Sequence, residues 1–231
     1  MEIELVIFDL DGTLIDTIED IGNAMNRALE RHGLPTRPLA DYPAMVGNGL
    51  RRAAACAVPP DFGRGQRFEA LVSDFLAEYA EHPLELTSVY PGVPRMLSGI
   101  ADMGIRTAIC TNKSAEIAER IVKNILGFHS FSALVGESGG RRKPDPGGVM
   151  EIMRRFAPAS GGKQMTEATI LLGDSEVDMR TALAAGIFPA GALWGYRSED
   201  ELTNAGAREL FGNPISFLEW VEKNNRRETV R

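Results

Sequence analysis

The chain is poor in several things, and each shortage narrows what it does. Only two of its 231 residues are cysteine, Cys56 in AAACAV and Cys110 in RTAICT, without metal-site or redox-pair spacing. A disulfide scaffold is excluded, and both apolar contexts predict buried thiols in a reducing compartment. Long apolar runs are missing too. The N-terminal MEIELVIFDLDGTL is apolar for a few residues before it meets carboxylates, so neither a signal peptide nor a membrane span is expected. A cytoplasmic protein with no membrane partner is the expectation. Basic stripes are absent outside short arginine pairs, and 25 basic against 32 acidic side chains leave a net charge of −7. Neutralising a nucleic-acid backbone needs clustered Lys and Arg, so no nucleic-acid partner is expected. With 24 glycines and 13 prolines the chain is not collagen-like, and 44% hydrophobic residues are too many for disorder. What remains is a globular chain, long enough for one large domain or a core with a smaller companion.

The apolar pattern along the chain changes period. Glu4 to Phe8 is a short β-branched run that reads as a strand buried on both faces. From Asp16, Ile18, Ile21, Met25, Ala28 and Leu29 share one helical face, and Gly33 with Pro35 closes the segment. A second helix carries Phe68, Leu71, Val72, Phe75, Leu76 and Tyr79 on one stripe. Between them an alanine-rich stretch from Leu50 to Val58 predicts a third, so residues 16–82 read as all-helical. Beyond Pro91-Gly92 helices alternate with strands at Ile105 to Cys110, Ala133 to Val135, Thr169 to Leu172 and Pro189 to Leu193. Such alternation predicts an α/β fold: a Rossmann-like parallel sheet with helices on both faces, interrupted after its first strand by an inserted all-helical domain. The expected division is 1–15 and 83–231 as core and 16–82 as insert.

In open parallel sheets ligands bind beyond the carboxyl ends of the strands, which makes the polar residues ending each apolar run candidates as a group. Asp9-Leu10-Asp11-Gly12-Thr13 places two carboxylates at the end of the first strand. Leaving both uncompensated would be costly, and Mg2+, which takes one or two carboxylates and keeps sites for water and phosphate, resolves the cost. A turn capped by either aspartate before Gly12 is the plainer alternative. Gly173-Asp174-Ser175-Glu176-Val177-Asp178 repeats the theme, with Asp178 one helical turn past Asp174. Capping of a helix explains Ser175 but not Asp174. Lys143, before Pro144, is held out of helical geometry just ahead of Asp145-Pro146, a cap and first helical position. It can serve a carboxylate and a phosphoryl oxygen together, whereas Arg141 and Arg142 read as solvated. Thr111-Asn112-Lys113-Ser114 follows a strand and suits either an anion or an ordinary helix cap. A nucleophile, an acid, a metal site, a cation and a hydroxyl together are what phosphoryl transfer asks for.

These four segments resemble the motifs of the haloacid dehalogenase superfamily of phosphatases in identity, order and approximate spacing. The resemblance implies that Asp9 attacks phosphorus to form an aspartyl-phosphate, while Asp11 protonates the leaving oxygen and then activates water. It implies Thr111 and Lys143 on the phosphoryl oxygens, and Mg2+ held by the Asp9 carboxylate, the Asp11 backbone carbonyl and the Asp174 carboxylate, with Asp178 in support behind them. The helical insert resembles the mobile cap of one structural class, with hinges near Leu14 to Thr17 and His82 to Tyr90. Finer features, V-G-N-G at 46–49, Y-P-G-V at 90–93, T-N-K at 111–113 and G-Y at 195–196, are similar to phosphoglycolate phosphatases. Gly136-Glu137-Ser138 and Arg197-Ser198 depart from that pattern.

Other branches of the superfamily fit less well. Asp11 is present where a dehalogenase lacks the second carboxylate, residues 16–82 contain no lysine for a phosphonatase imine, and Asp16 to Ile21 holds no histidine for a mutase. A pyrophosphatase, a sugar-phosphate phosphatase or a non-catalytic phosphate-binding protein stays open. For substrate, Thr111, Asn112 and Lys143 are expected in the core, and Asn48 and Arg51 in the insert. The glycines around Asn48 let the backbone approach a ligand, and Arg51 or Arg52 suits a carboxylate, with a solvated helix face as the alternative. The expected partner is a small phosphorylated metabolite, and the expected state a monomer or homodimer.

Overall fold

A computed structural model describes residues 2–137, 142–156 and 163–226. The chain divides into two compact units, one of Met1–Ile15 with Val89–Arg231 and the other of Asp16–Ser88. In chain order the first unit opens with β1 (Leu5–Phe8), and the crossing to the second is a short strand, β2 (Ile15–Asp16). The second unit carries α1 (Ile18–Arg31), α2 (Leu50–Ala57) and α3 (Gln66–Glu81), with 3-10 turns at Leu39–Ala44 and Pro60–Phe62, and β3 (Ser88–Val89) leads back. The first unit then continues with α4 (Val93–Asp102), β4 (Arg106–Ser114), α5 (Ala115–Ile125), β5 (Ala133–Glu137), α6 (Gly147–Phe156), α7 (Lys163–Glu167) and β6 (Thr169–Gly173). It closes with α8 (Glu176–Ala185), β7 (Phe188–Ala192), α9 (Glu199–Asn204), β8 (Glu209–Phe211) and α10 (Pro214–Arg226).

The α/β class and parallel sheet read from the sequence hold. Six strands lie in the order β5-β4-β1-β6-β7-β8, every pair parallel. All four residues of β1 and all five of β6 are buried, which is why both lack polar alternation. At about 1.5–3 kcal/mol for each large apolar side chain, this centre anchors the unit. From β1 the chain turns toward β4 and β5, and from β6 it turns the other way toward β7 and β8. The loops after β1 and β6 therefore leave in opposite directions and open a crevice between them. Leu14 and Tyr90 bracket the excursion to the second unit, and the Tyr90 amide donates to the Leu14 carbonyl at 3.2 Å.

Several sequence expectations are corrected. The strand expected to end at Cys110 runs on to Ser114, through a register shift against β5. The helical unit reaches Ser88 rather than ending at His82, because the buried Asp20 carboxylate on α1 accepts the amides of Leu86 and Thr87 and the Thr87 hydroxyl. Cys56 is exposed: α2 buries Ala53, Ala54 and Ala57, and Cys56 falls outside that stripe. Leu76, at the edge of the α3 stripe, is 39% exposed. Two helices and an edge strand follow Leu193, where the alternating pattern had ended.

Candidate active site

The crevice between β1 and β6 collects charge. Asp9, one residue past β1, is buried and anchored through its amide, which donates to the Leu172 carbonyl of β6 at 2.9 Å. Its Oδ1 accepts the Leu10 amide at 2.7 Å and meets Lys143 Nζ at 2.7 Å, which fixes the carboxylate plane. Asp174, one residue past β6, is held through both oxygens: Oδ1 accepts the Thr13 hydroxyl at 3.2 Å and Oδ2 the Tyr196 amide at 2.8 Å. Trp194 Nε1 in turn donates to the Thr13 carbonyl at 2.9 Å. This closeness demands glycine. A Cβ on Gly195 would lie 2.3 Å from the Gly12 carbonyl oxygen, and one on Gly12, at φ +80°, would lie 2.3 Å from Asp174 Oδ2.

Asp178, in the first turn of α8, is fully buried and bonds in two directions. Its Oδ2 accepts the Ser175 amide and hydroxyl at 3.1 and 2.6 Å, and its Oδ1 accepts Lys143 Nζ at 2.6 Å. Helix capping and pairing with Lys143 are thus the work of two oxygens of one carboxylate. Lys143 stands between Asp9 and Asp178 on a segment whose Lys143–Pro144 peptide is cis. Asn112, expected on substrate, holds the main chain of Lys143: its Oδ1 accepts the Lys143 amide at 2.7 Å and its Nδ2 donates to the Lys143 carbonyl at 3.1 Å. The extension of β4 past Cys110 brings it there.

Burial sets the electrostatics. Desolvation, reinforced by the charge of Asp178 and opposed by Lys143, pushes the Asp9 carboxyl up to about 7. Asp174 is raised well above the usual carboxylate range by burial and by the charges of Asp178 and Asp9. For Lys143 burial alone would lower the value, but Asp178 and Asp9 outweigh it and hold the ammonium well above the ordinary lysine range. Ligand atoms of Asp9, Asp174 and Asp178 lie within 4.8 Å of one another. The Asp11 carboxylate is outside that group and pairs with Lys113, Nζ to Oδ1 at 3.2 Å. Four carboxyl groups therefore face two lysines, so full ionisation would leave two negative charges in excess, and the raised Asp9 and Asp174 carboxyls express that cost. A divalent cation fits that deficit.

Thr111 is buried beside Lys143, and both line a cleft with Cys110, Gly136, Gly147 and Glu151. Arg142 is exposed at the same cleft, whereas Arg141 and Ser138 lie outside the described residues. Asn48 and Arg51 belong to the helical unit. Asn48 is half-buried between glycines at φ 114° and 83°. Arg51, expected to take a substrate carboxylate, forks onto Glu69 at 2.7 and 2.5 Å on an exposed helix face, and Glu69 is held below the usual carboxylate range by that arginine. Lys113 was missed as a site residue because the apolar run ends at Cys110. The signal that finds it is its place in Thr111-Asn112-Lys113-Ser114, the polar segment that follows that run.

The chain resembles known proteins over most of its length. Residues 6–192 match the family model of the haloacid dehalogenase-like hydrolases. A phosphoglycolate phosphatase of Cereibacter sphaeroides is 39% identical over 199 residues, covering 83% of this chain and 86% of its own. One from Rhodospirillum rubrum is 32% identical over 224 residues, 94% of this chain and 90% of its own. Among solved structures, a haloacid dehalogenase-like family hydrolase from Streptococcus pneumoniae superposes with a TM-score of 0.82 over 94% of this chain and 98% of its own, at 22% identity, and so supports the fold. A sheet whose central strands each end in a buried aspartate, with a buried lysine paired to Asp9 and Asp178, and a family match across both units' sequence agree: this chain belongs to the haloacid dehalogenase-like hydrolases.

Proposed function

We propose that the chain is a Mg2+-dependent phosphomonoester hydrolase acting on a small phosphorylated acid, foremost 2-phosphoglycolate. The observation that carries the reading is the buried Asp9–Lys143–Asp178 chain of ion pairs beside Asp174, with three carboxyl groups gathered around one lysine. The names of the relatives in Cereibacter and Rhodospirillum support the substrate.

Asp9 is the nucleophile. One of its oxygens bonds to phosphorus as the ester P–O bond breaks, and Asp11 gives its proton to the departing oxygen, releasing an alcohol. Asp11 then takes a proton from water, the resulting hydroxide attacks the phosphorus of the aspartyl-phosphate, and inorganic phosphate leaves with Asp9 restored. Lys143 and Thr111 offer positive charge and a hydroxyl to the phosphoryl oxygens as charge spreads over them. The Asp9 and Asp174 carboxylates and the Asp11 carbonyl would hold Mg2+. The ion supplies charge neutralisation at the phosphoryl group and returns the two carboxyls to their ionised forms. In this reading the helical unit is the substrate-selecting cap.

The test is phosphate release from a panel containing 2-phosphoglycolate, sugar phosphates and pyrophosphate, with Mg2+. Release is expected to be greatest from 2-phosphoglycolate and to fall by at least about 10³-fold in Asp9→Asn. Preference for a sugar phosphate or pyrophosphate overturns the substrate. No release from any member, or full activity in Asp9→Asn, overturns the reaction.

A further inference from the structure

We propose that Lys113 is a positioning residue for Asp11, holding its carboxyl group where, once protonated, it can hand that proton to the leaving oxygen. The inference rests on reading Asp11 as the acid and base of a phosphatase. Lys113 Nζ stands 3.2 Å from Asp11 Oδ1, and its side chain is 1% exposed against 14% for Asp11. A lysine is almost never this buried unless it is paired. A second buried lysine, Lys143, serves Asp9 and Asp178, so the two lysines divide the acidic crevice between them.

The backbone explains how Lys113 arrives and why Asp11 needs it. β4 continues past Cys110 to Ser114, through a register shift against β5, and this extension carries Lys113 to the strand end beside Asp11. Asp11 sits in a tight turn in which Leu14 and Ile15 donate to the Leu10 carbonyl and Gly12 donates to the Ile15 carbonyl. Beyond that turn the carboxylate has a rotamer choice, and an ion pair with a buried ammonium narrows it. When the ester bond breaks, its electron pair goes to the substrate oxygen and the Asp11 proton joins it. An alkoxide needs that proton to leave, whereas p-nitrophenolate leaves well without it.

This difference supplies a readout that a merely structural lysine would not move. Lys113→Met and Lys113→Arg are assayed in the full chain with Mg2+ on 2-phosphoglycolate and on p-nitrophenyl phosphate. For Lys113→Met, kcat on the alkyl ester is expected to fall about 10²-fold and on the aryl ester by no more than about 3-fold, with Lys113→Arg between wild type and Lys113→Met in the ratio of the two. Because both esters are measured on one preparation, an inactive fraction cancels in that ratio. Adding Lys113→Met to Asp11→Asn is expected to slow the alkyl ester no further. Equal losses on both esters, or a double variant slower than Asp11→Asn alone, overturns the proposal. Wild type hydrolysing neither ester would instead sink the phosphatase reading itself.

Discussion

The carboxamide of Asn112 grips Lys143 by its main chain, accepting from the amide and donating to the carbonyl. Asn112→Ala leaves both groups buried without that partner, at about 1–3 kcal/mol each for groups that water does not reach. A lowered melting temperature is expected together with a lower kcat, measured by calorimetry and by phosphate release, because the ammonium loses its fixed origin. At the same scale the two thiols differ. Burial pushes Cys110 up to about 12, while Cys56 is exposed. One equivalent of a thiol reagent is expected to react with the native protein at neutral pH and two after denaturation; two fast native equivalents would contradict the burial of Cys110. Asp9, Thr111 and Asp174 were legible in the sequence because each follows an apolar run, and Lys143 because Pro144 holds it out of helical geometry just ahead of a helix. The role of Asn112 was not, since a side chain that bonds a main chain 31 positions away leaves no local pattern.

Among elements, α1 and α3 are joined by more than their apolar stripes. Glu78 of α3 is buried and meets Arg27 at 2.5 Å and Arg31 of α1, a contact invisible to periodicity because the carboxylate lies within the buried stripe. Burial raises the Glu78 carboxyl, but the hydrogen bond from Arg31 and the charge of Arg27 overcome it and hold it below the usual range. A carboxyl depressed in the folded state stabilises it above the unfolded pKa, and that stability is lost as pH falls through the folded value. Glu78→Gln is expected to cost about 1–3 kcal/mol at pH 7, with the gap to wild type shrinking below about pH 4.5 in denaturant titrations. A gap that stays constant with pH would show that the charge is immaterial. The strands with continuous apolar runs, β1 and β6, were readable. β8 was not: it has three residues, of which only Phe211 is buried, too few to show a period. α10 was also unread, although Phe217 and Leu218 are buried and Leu218 packs where α4 has Gly99.

For the whole molecule, an acidic chain that gathers three carboxylates within 4.8 Å folds against its own repulsion. On the proposed function Mg2+ binds the folded state and not the unfolded one, so millimolar Mg2+ is expected to raise the melting temperature of wild type, and the rise is expected to vanish in Asp174→Asn. That variant also removes a repulsive charge, so its melting temperature without Mg2+ is expected to equal or exceed that of wild type. Scanning calorimetry with and without the ion reads both. An undiminished rise in Asp174→Asn would mean that the ion binds elsewhere.

The hydrogen bond between the Tyr90 amide and the Leu14 carbonyl has a consequence of its own. It brings the exit of the helical excursion back to its entrance, so for the sheet the whole segment is a closed loop. The entropy of closing a loop grows only with the logarithm of its length. The sheet therefore feels little difference between a long insert and a short one at this point. A segment of quite different size or shape can replace it while the strand ends that carry the chemistry stay where they are. If the insert is the substrate-selecting cap proposed above, that seam lets substrate choice evolve apart from the reaction.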